Sequence, residues 1–263
     1  MEPFYHDTTK QLLFIHHWMK KYNVIGGFTT KFGGQSQSDY YSNNLGLHVG
    51  DNHDDVLENR RSLAKKINVP IENWVMAEQT HGVNVERVSK KDRGKGIITL
   101  SDTIRDTDGF IITENDLLPC LLFADCVPLF FLAGNNAAAI AHAGWRGTVG
   151  NIAAETINNF TKLGFSIDQI EIVIGPSICQ KCYQVSQEVI QHVPLKYNEV
   201  YRLENSHYYL DLKQLNYLQL LDTGIPGSNI HVTKYCTAHD DLFFSHRRDD
   251  QKTGRMLGFI GLM

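Results

Sequence analysis

The sequence predicts a mixed α/β fold, in which short apolar strands alternate with amphipathic helices. Two observations support this: the strand-like runs are short and bounded by Gly, Asn or Pro, and the segments between them show helical spacing. No repeat, low-complexity tract or flexible linker divides the 263 residues. We therefore expect a single domain over residues 1–263, long enough to bury a substantial core.

Five apolar runs are the predicted strands, and they cluster in the middle of the chain: residues 109–113, 119–124, 127–132, 137–141 and 170–174. The last of these alternates and then stops at a Gly-Pro pair, which is typical of a strand that leads into a turn.

Four helices are predicted, at residues 54–68, 148–163, 186–193 and 211–223. In the second helix, apolar residues fall on one face at helical spacing: Ile152, Ala153, Thr156, Ile157 and Phe160. Asp211 is placed to cap the last helix through its carboxylate.

Composition excludes several classes of protein. A net charge of −4 provides no overall attraction to nucleic acid or to an anionic membrane. No apolar run approaches the length of a bilayer span, and the N-terminus lacks a basic segment followed by an apolar one. The five cysteines are scattered and odd in number, which favours free thiols or a metal ligand over disulfides. We expect a cytoplasmic protein that acts on small molecules.

Three residues near the ends of predicted strands form a candidate metal site: His81, Cys126 and His142. Two imidazoles and one thiolate suit a borderline-soft ion such as zinc, and three protein ligands leave a coordination position open, as in catalytic sites. Their long separations match no local zinc signature. Each residue alone is also compatible with a structural role, such as a loop histidine or a buried apolar cysteine.

Arg146 follows His142 in a glycine-rich segment that precedes a predicted helix. A guanidinium beside a helix N-terminus suits an anionic substrate, so we interpret Arg146 as a catalytic, phosphate-holding residue. The alternative is a surface arginine paired with a nearby carboxylate.

Cys179 and Cys182 have the Cys-x-x-Cys spacing of a zinc site. The sequence offers no second cysteine pair, and the lysine between them suits a solvated turn. We therefore interpret this pair as structural, without a metal.

Six motifs occur in an order that resembles the YfiH-type family, long labelled multicopper polyphenol oxidase or laccase-like. They are NLGLHVGD at residues 44–51, QTHG at 79–82, ADC at 124–126, HAGWRG at 142–147, IGPSIC at 174–179, and SHRRD at 245–249 with TGR at 253–255. The resemblance extends from about residue 24 to the C-terminus. It implies zinc ligands at His81, Cys126 and His142, and a sandwich of mixed β-sheets flanked by helices, similar to the catalytic domain of cytotoxic necrotizing factors.

The resemblance also implies an activity, because members of this family are described as zinc-dependent purine nucleoside phosphorylases that deaminate adenosine. We therefore expect purine nucleosides and phosphate as substrates, with methylthioadenosine as a further one, and a monomer or weak homodimer. Asp125 is our candidate for proton transfer during deamination, or for orienting a histidine ligand. We assign substrate binding to six polar residues of these motifs and their surroundings: Asn44, His48, Arg60, Gln79, Arg247 and Arg248.

Three alternatives stay open. A copper laccase would need many histidines, usually as His-x-His pairs, and the chain has no such pair, although copper is the alternative ion for the site. A cysteine hydrolase would use Cys126 as nucleophile and His142 as base, a role that a metal on the thiolate would prevent. Some bacterial relatives are linked to editing of peptidoglycan precursors, which is the third alternative.

Overall fold

In a computed structural model that describes residues 1–263, the chain forms fifteen strands and six α-helices, joined by turns and short 3₁₀ segments. The strands are β1 (Phe4–His6), β2 (Leu12–Ile15), β3 (Val24–Thr29), β4 (Trp74–Met76), β5 (Val85–Arg87), β6 (Gly109–Ile112), β7 (Leu118–Phe123), β8 (Val127–Ala133), β9 (Ala137–Ala143), β10 (Glu171–Ile174), β11 (Gln184–Val185), β12 (Tyr201–Glu204), β13 (His207–Leu210), β14 (Ile230–Val232) and β15 (Met256–Leu262). The helices are α1 (His16–Lys21), α2 (His53–Ile67), α3 (Trp145–Val149), α4 (Ile152–Lys162), α5 (Gln187–Gln191) and α6 (Leu212–Asp222).

Two six-stranded mixed sheets dominate the fold, which confirms the predicted α/β class. The first has the strand order β1-β2-β3-β15-β7-β4 and the second the order β14-β10-β8-β9-β6-β5. Most neighbours are antiparallel, with parallel pairs at β4–β7, β5–β6 and β10–β14. A small third sheet joins β11, β13 and β12.

The two large sheets pack face to face. Their shared core includes Phe28 and Phe123 of the first sheet and Phe130 and Ile140 of the second. Helix α2 covers the outer face of the first sheet, and helices α4 and α6 cover the outer face of the second. Because the central strands are buried on both faces, they are apolar along their whole length, which made them easy to identify in the sequence.

The expectation that strands cluster in the middle of the chain is wrong, since the first sheet is built largely from the chain ends. Strands β1 to β3 and β15 supply four of its six strands. Strand β3 contains two adjacent glycines, and β1 is only three residues long, so neither gave a clear apolar run.

The four predicted helices are present, but the second is divided. Residues 145–149 form α3, and the chain then bends at Asn151, whose left-handed backbone (φ 66°) starts α4 and whose side chain caps it. The predicted apolar face of α4 is buried, and Asp211 caps α6 by accepting a hydrogen bond from the Gln214 amide. None of the helices combines the length and apolar character needed to cross a bilayer.

Candidate active site

His81, Cys126 and His142 converge at one end of the sandwich, where their donor atoms lie within 4.8 Å of one another. His81 lies in the loop after β4, Cys126 in the turn between β7 and β8, and His142 in β9. Strands β7 and β8 belong to different sheets, so the cluster forms where the chain crosses from one sheet to the other. We expected His142 just after its strand, but β9 continues to Ala143 and the imidazole is buried within the sheet.

Asp108, which the sequence analysis missed, holds this arrangement together. Its buried carboxylate lies 2.8 Å from Nδ1 of His142 and accepts hydrogen bonds from the backbone amides of Thr80, His81 and Gly82. One aspartate therefore fixes the ring of one candidate ligand and the loop that carries another. Because Nδ1 of His142 is occupied, Nε2 is the nitrogen free to bind a metal.

Two further contacts place the His81 loop. The Gln79 amide both donates to and accepts from the backbone of Leu122 in β7, which docks the loop on the first sheet. His81 itself has a positive φ of 62°. A Cβ on Gly144 would lie 3.0 Å from the His81 ring and 3.1 Å from the Cys126 sulfur, so a larger residue there would crowd both candidate ligands. Through its two hydrogen bonds to the Leu122 backbone, the Gln79 side chain holds the loop that carries His81.

The protonation of Cys126 and of His142 depends on the charges of their neighbours in the cluster. Burial raises the pKa of the Cys126 thiol, but the nearby His142 and His81 imidazoles outweigh this effect and lower it overall. Burial lowers the pKa of His142, yet Cys126 and Asp108 together raise it. The surroundings therefore favour a thiolate at Cys126, the form that binds metals.

All three residues line a cavity of about 830 Å³. Its walls also carry His48, His246 and Arg255. Burial, reinforced by the positive charges of Arg255 and Arg60, lowers the pKa of His48 to about 4. His48 is therefore neutral at pH 7 and can serve as a hydrogen-bond donor and acceptor rather than a charge.

Arg255 places a half-buried guanidinium in the wall of this cavity. Asn44 accepts a hydrogen bond from its backbone amide, while Nη1 donates to the carbonyls of Thr253 and Gly254. Nε and Nη2 have no protein partner and are free for an anion. Asn44 is fully buried and reaches the site only through this backbone contact, whereas His48 lines the cavity directly.

The other arginines of our sequence analysis are placed differently. Arg146 lies in the first turn of α3, is exposed, stacks on Trp145 at 4.4 Å, and is not among the residues that line the cavity. Arg248 pairs with Asp249 and with backbone carbonyls. Arg247 donates to the Gln184 carbonyl and lies over the Tyr183 ring, outside the cavity.

Arg60 reaches the cavity wall but is fully buried, and its guanidinium donates to the carbonyls of Leu45, Gly96 and Ile97. These bonds join α2 to two loops and give Arg60 a structural position. Arg60 can therefore affect a molecule in the cavity only through its electrostatic field.

Asp125 is buried in a strained turn, with φ of 82°. Its carboxylate accepts hydrogen bonds from the hydroxyls of Thr237 and Ser245 and from the amide of Arg247. It anchors the 237–247 segment beside Cys126, whereas the carboxylate that orients a histidine is Asp108.

Our interpretation that Cys179 and Cys182 lack a second pair is wrong. Cys236 and His239 provide it, and the donor atoms of all four residues lie within 4.8 Å of one another. The second pair has Cys-x-x-His spacing, so a search for cysteine pairs alone overlooks it.

The fold and site define an α/β protein with a three-donor candidate metal centre that opens into a cavity. Residues 25–263 match the model of the family described as multi-copper polyphenol oxidoreductase laccase. The chain is similar to the purine nucleoside phosphorylase YlmD of Geobacillus stearothermophilus (43% identity over 90% of both chains) and to that of Bacillus subtilis (42% identity over 97% of this chain and 96% of the relative). The crystal structure of the hypothetical protein YfiH from Bacillus licheniformis superimposes with a TM-score of 0.95, at 38% identity over 100% of both chains. The chain belongs to this family, as its motifs predicted.

Proposed function

We propose that this protein is a zinc-dependent purine nucleoside phosphorylase, which converts a nucleoside and phosphate into a purine base and ribose 1-phosphate. The observation that carries the proposal is the convergence of His81, Cys126 and His142 on the wall of a cavity that also presents Arg255. Relatives that are 43% and 42% identical to this chain over the aligned residues bear the name of that activity. The cavity volume of about 830 Å³ is within the range of small-molecule sites.

The three residues fit zinc. Imidazole and thiolate donors suit zinc or copper and do not suit magnesium, and Asp108 supports His142 as carboxylates support metal-bound histidines. Three donors leave a position open toward the cavity. When bound there, zinc supplies a Lewis acid for polarising an oxygen or a water. Copper is the alternative ion.

Phosphate binding falls to Arg255 in this proposal, with His48 and His246 beside it. The free Nε and Nη2 of Arg255 form a fork that matches two phosphate oxygens. Arg146 was the sequence-based choice, but its stacking on Trp145 outside the cavity favours a surface role.

We further propose adenosine deamination and methylthioadenosine phosphorolysis at the same site. Deamination needs water as the nucleophile at C6, whereas phosphorolysis needs phosphate at C1′, so one cavity can host both reactions with different nucleophiles. Asp125 holds the Cys126 turn in this scheme rather than transferring the proton.

The test is an incubation of purified, metal-quantified protein with adenosine, inosine, guanosine or methylthioadenosine, with and without phosphate, followed by chromatography of the products. We expect free base and a ribose 1-phosphate only with phosphate, and inosine from adenosine in its absence. The absence of every product from zinc-loaded protein would contradict the proposal. The matched control is Cys120→Ala, which removes a buried thiol outside the site.

A cysteine hydrolase is the second candidate, because Asp108, His142 and Cys126 are arranged as acid, base and nucleophile. The two functions make opposite predictions about zinc. A phosphorylase loses activity when the metal is removed, whereas a hydrolase gains it as the Cys126 thiolate becomes free. Alkylation of Cys126 by iodoacetamide, followed by mass spectrometry with and without zinc, reports directly on whether the thiolate is occupied.

A further inference from the structure

A second cluster of metal-binding side chains lies outside the cavity. It consists of Cys179, Cys182, Cys236 and His239, and it will be called the four-donor cluster. None of its residues lines the cavity, and the function proposed above does not use it. Three thiols and one imidazole are a donor set of structural zinc sites.

The four-donor cluster is made of two similar turns. In the first, the amide of Cys182 donates to the carbonyl of Cys179 at 3.0 Å, and in the second the amide of His239 donates to the carbonyl of Cys236 at 3.2 Å. In each turn, this hydrogen bond brings the two donor side chains close together. Turns with two intervening residues are the usual way that zinc sites present pairs of ligands.

Backbone contacts then hold the two turns against each other. The first turn follows β10 and the second follows β14, and these strands are parallel neighbours in the second sheet. The pairing continues beyond them, since Ser177 bridges to Cys236 and the Thr237 amide donates to the Ser177 carbonyl. The fold therefore places both pairs at the same sheet end.

Both ring nitrogens of His239 lie close to cysteine sulfurs, and one of the two nitrogens would serve as the ligand. The Cys179 sulfur lies 3.6 Å from Nδ1 of His239, and the Cys182 sulfur lies 3.3 Å from Nε2 of the same ring. The amide of Cys179 donates to the Cys236 sulfur at 3.3 Å, a contact that holds the sulfur of the second turn against the first turn. All five cysteines of the chain are free, so no disulfide competes for these sulfurs in this structure.

A buried cation lies next to the cluster. Lys213 is buried, and its ammonium donates to the carbonyls of Thr233 and Tyr235, the latter directly before Cys236. Three thiolates carry one negative charge more than Zn²⁺ neutralises, and a lysine beside them balances it. Carbonyls alone do not neutralise the charge of this buried ammonium, so a cluster of net negative charge beside it would offset part of the cost of its burial.

We propose that Cys179, Cys182, Cys236 and His239 bind a second zinc ion, in a closed, structural site that is separate from the cavity. The site joins the turn after β10 to the turn after β14. It thereby fixes Thr237, whose hydroxyl donates to Asp125, the residue before Cys126. The proposal is independent of the phosphorylase function, because its test counts metal ions and not turnover.

The first experiment is elemental analysis of protein purified without chelators. We expect about two zinc ions per chain in the wild type, and about one in either Cys182→Ser or the double variant His81→Ala/His142→Ala. Combining these substitutions should leave the protein nearly metal-free. The control Cys120→Ala loses a thiol outside both sites and should keep about two ions. The proposal would be overturned if Cys182→Ser kept the zinc content of the wild type. It would also be overturned if the wild type held a single zinc ion and the His81→Ala/His142→Ala variant held none.

The second experiment separates loss of a ligand from loss of folding. His239→Cys preserves a zinc donor, so it should keep both ions, whereas His239→Ala should lose one. Equal metal content in the two variants would overturn the assignment of His239.

Cobalt provides a direct view of the ligands. Cobalt(II) reconstituted into the His81→Ala/His142→Ala background should show the absorption of a tetrahedral ion with strong sulfur-to-metal charge transfer, which Cys182→Ser weakens. A disulfide among the three cysteines, detected by thiol titration of the untreated protein, would instead replace the metal site and overturn the proposal.

Discussion

The protein brings together two sets of metal-binding side chains that differ in how the chain builds them. The cavity site takes single residues from three distant segments, and its donors, His81, Cys126 and His142, open into a large cavity. The four-donor cluster takes two short pairs from two turns and has no place in the cavity wall. Three protein donors that leave a coordination position open are typical of catalytic zinc sites, and a closed set of four donors is typical of structural zinc sites.

The difference extends to the surroundings. A buried carboxylate, Asp108, contacts a donor of the cavity site, whose single thiolate would leave a bound Zn²⁺ with excess positive charge. A buried ammonium, Lys213, lies beside the four-donor cluster, whose three thiolates would outweigh the charge of a bound Zn²⁺. Each nearby charge thus has the sign that would balance the proposed metal site. Variants that affect one site and spare the other test this difference.

The largest expected effect is at Cys126. Cys126→Ala removes the thiolate ligand, and we expect phosphorolysis to fall by about a thousandfold, since the metal's contribution is several kcal/mol. Zinc should fall by about one ion per chain, while thermal stability changes little. Product chromatography and elemental analysis check this, with Cys120→Ala as the control. Full zinc occupancy in the variant would remove Cys126 from the ligand set.

Asp108→Asn should have the next largest effect. An amide cannot balance the charge of the site, and it loses part of its hold on the amides of the His81 loop. We expect a loss of about 10–100-fold in zinc affinity or activity. Competition with a chromogenic chelator measures the affinity. Asp125→Asn is the comparison variant, and we expect it to lower stability more than zinc affinity. If Asp125→Asn instead lowered zinc affinity and Asp108→Asn lowered mainly stability, the roles assigned to the two aspartates would have to be exchanged.

The sequence predicted those parts whose signal is local. Strands β7 to β9 are buried on both faces and were readable as apolar runs. Donor chemistry near strand ends selected the three donors of the cavity site, and the family motifs implied the same three. Asp108 was missed because a single aspartate before a strand has no pattern of its own. Its role depends on β6 lying beside β9, a pairing between distant parts of the chain.

The arginines and the four-donor cluster show the same limit. The glycine-rich motif around Arg146 suggested a phosphate site, but whether a side chain faces the cavity depends on the bend at Asn151 and the start of α3. The Cys-x-x-His half of the cluster was readable in the sequence. Its pairing with Cys179 and Cys182 was not, because β14 follows β10 by more than fifty residues and the two meet only in the sheet.

Arg255→Lys should reduce phosphorolysis about tenfold, because lysine keeps the charge and loses the fork that matches two phosphate oxygens. The effect should fall on the KM for phosphate, and deamination should decrease less. Arg146→Lys is the matched control: stacked on Trp145 outside the cavity, it should change neither reaction measurably. Steady-state kinetics at varied phosphate concentration test both variants. The opposite result, a loss in Arg146→Lys alone, would return the phosphate site to α3.

The smallest expected effect on turnover comes from the four-donor cluster, where stability should change instead. Cys182→Ser leaves an incomplete zinc site between the turns after β10 and β14. Loss of a structural metal is among the few single changes that cost roughly 4 kcal/mol, which for a chain of this size lowers Tm by about 10 °C. The cavity keeps all of its own residues, so kcat measured well below Tm should stay within about twofold of the wild type.

Several hydrogen bonds link the two sites, among them that from the Ile178 amide to the Asp125 carbonyl, and one of them can be removed by a side-chain substitution. Thr237, directly after Cys236, donates to Asp125, directly before Cys126. If this contact transmits disorder from the cluster, turnover in Cys182→Ser should fall with no loss of zinc from the cavity site, and Thr237→Val should reproduce that fall while keeping both ions. If turnover holds in both variants as Tm decreases in Cys182→Ser, the cluster stabilises the fold and the cavity site is self-sufficient. Calorimetry, kinetics and elemental analysis on the same preparations distinguish these outcomes, and we expect the second.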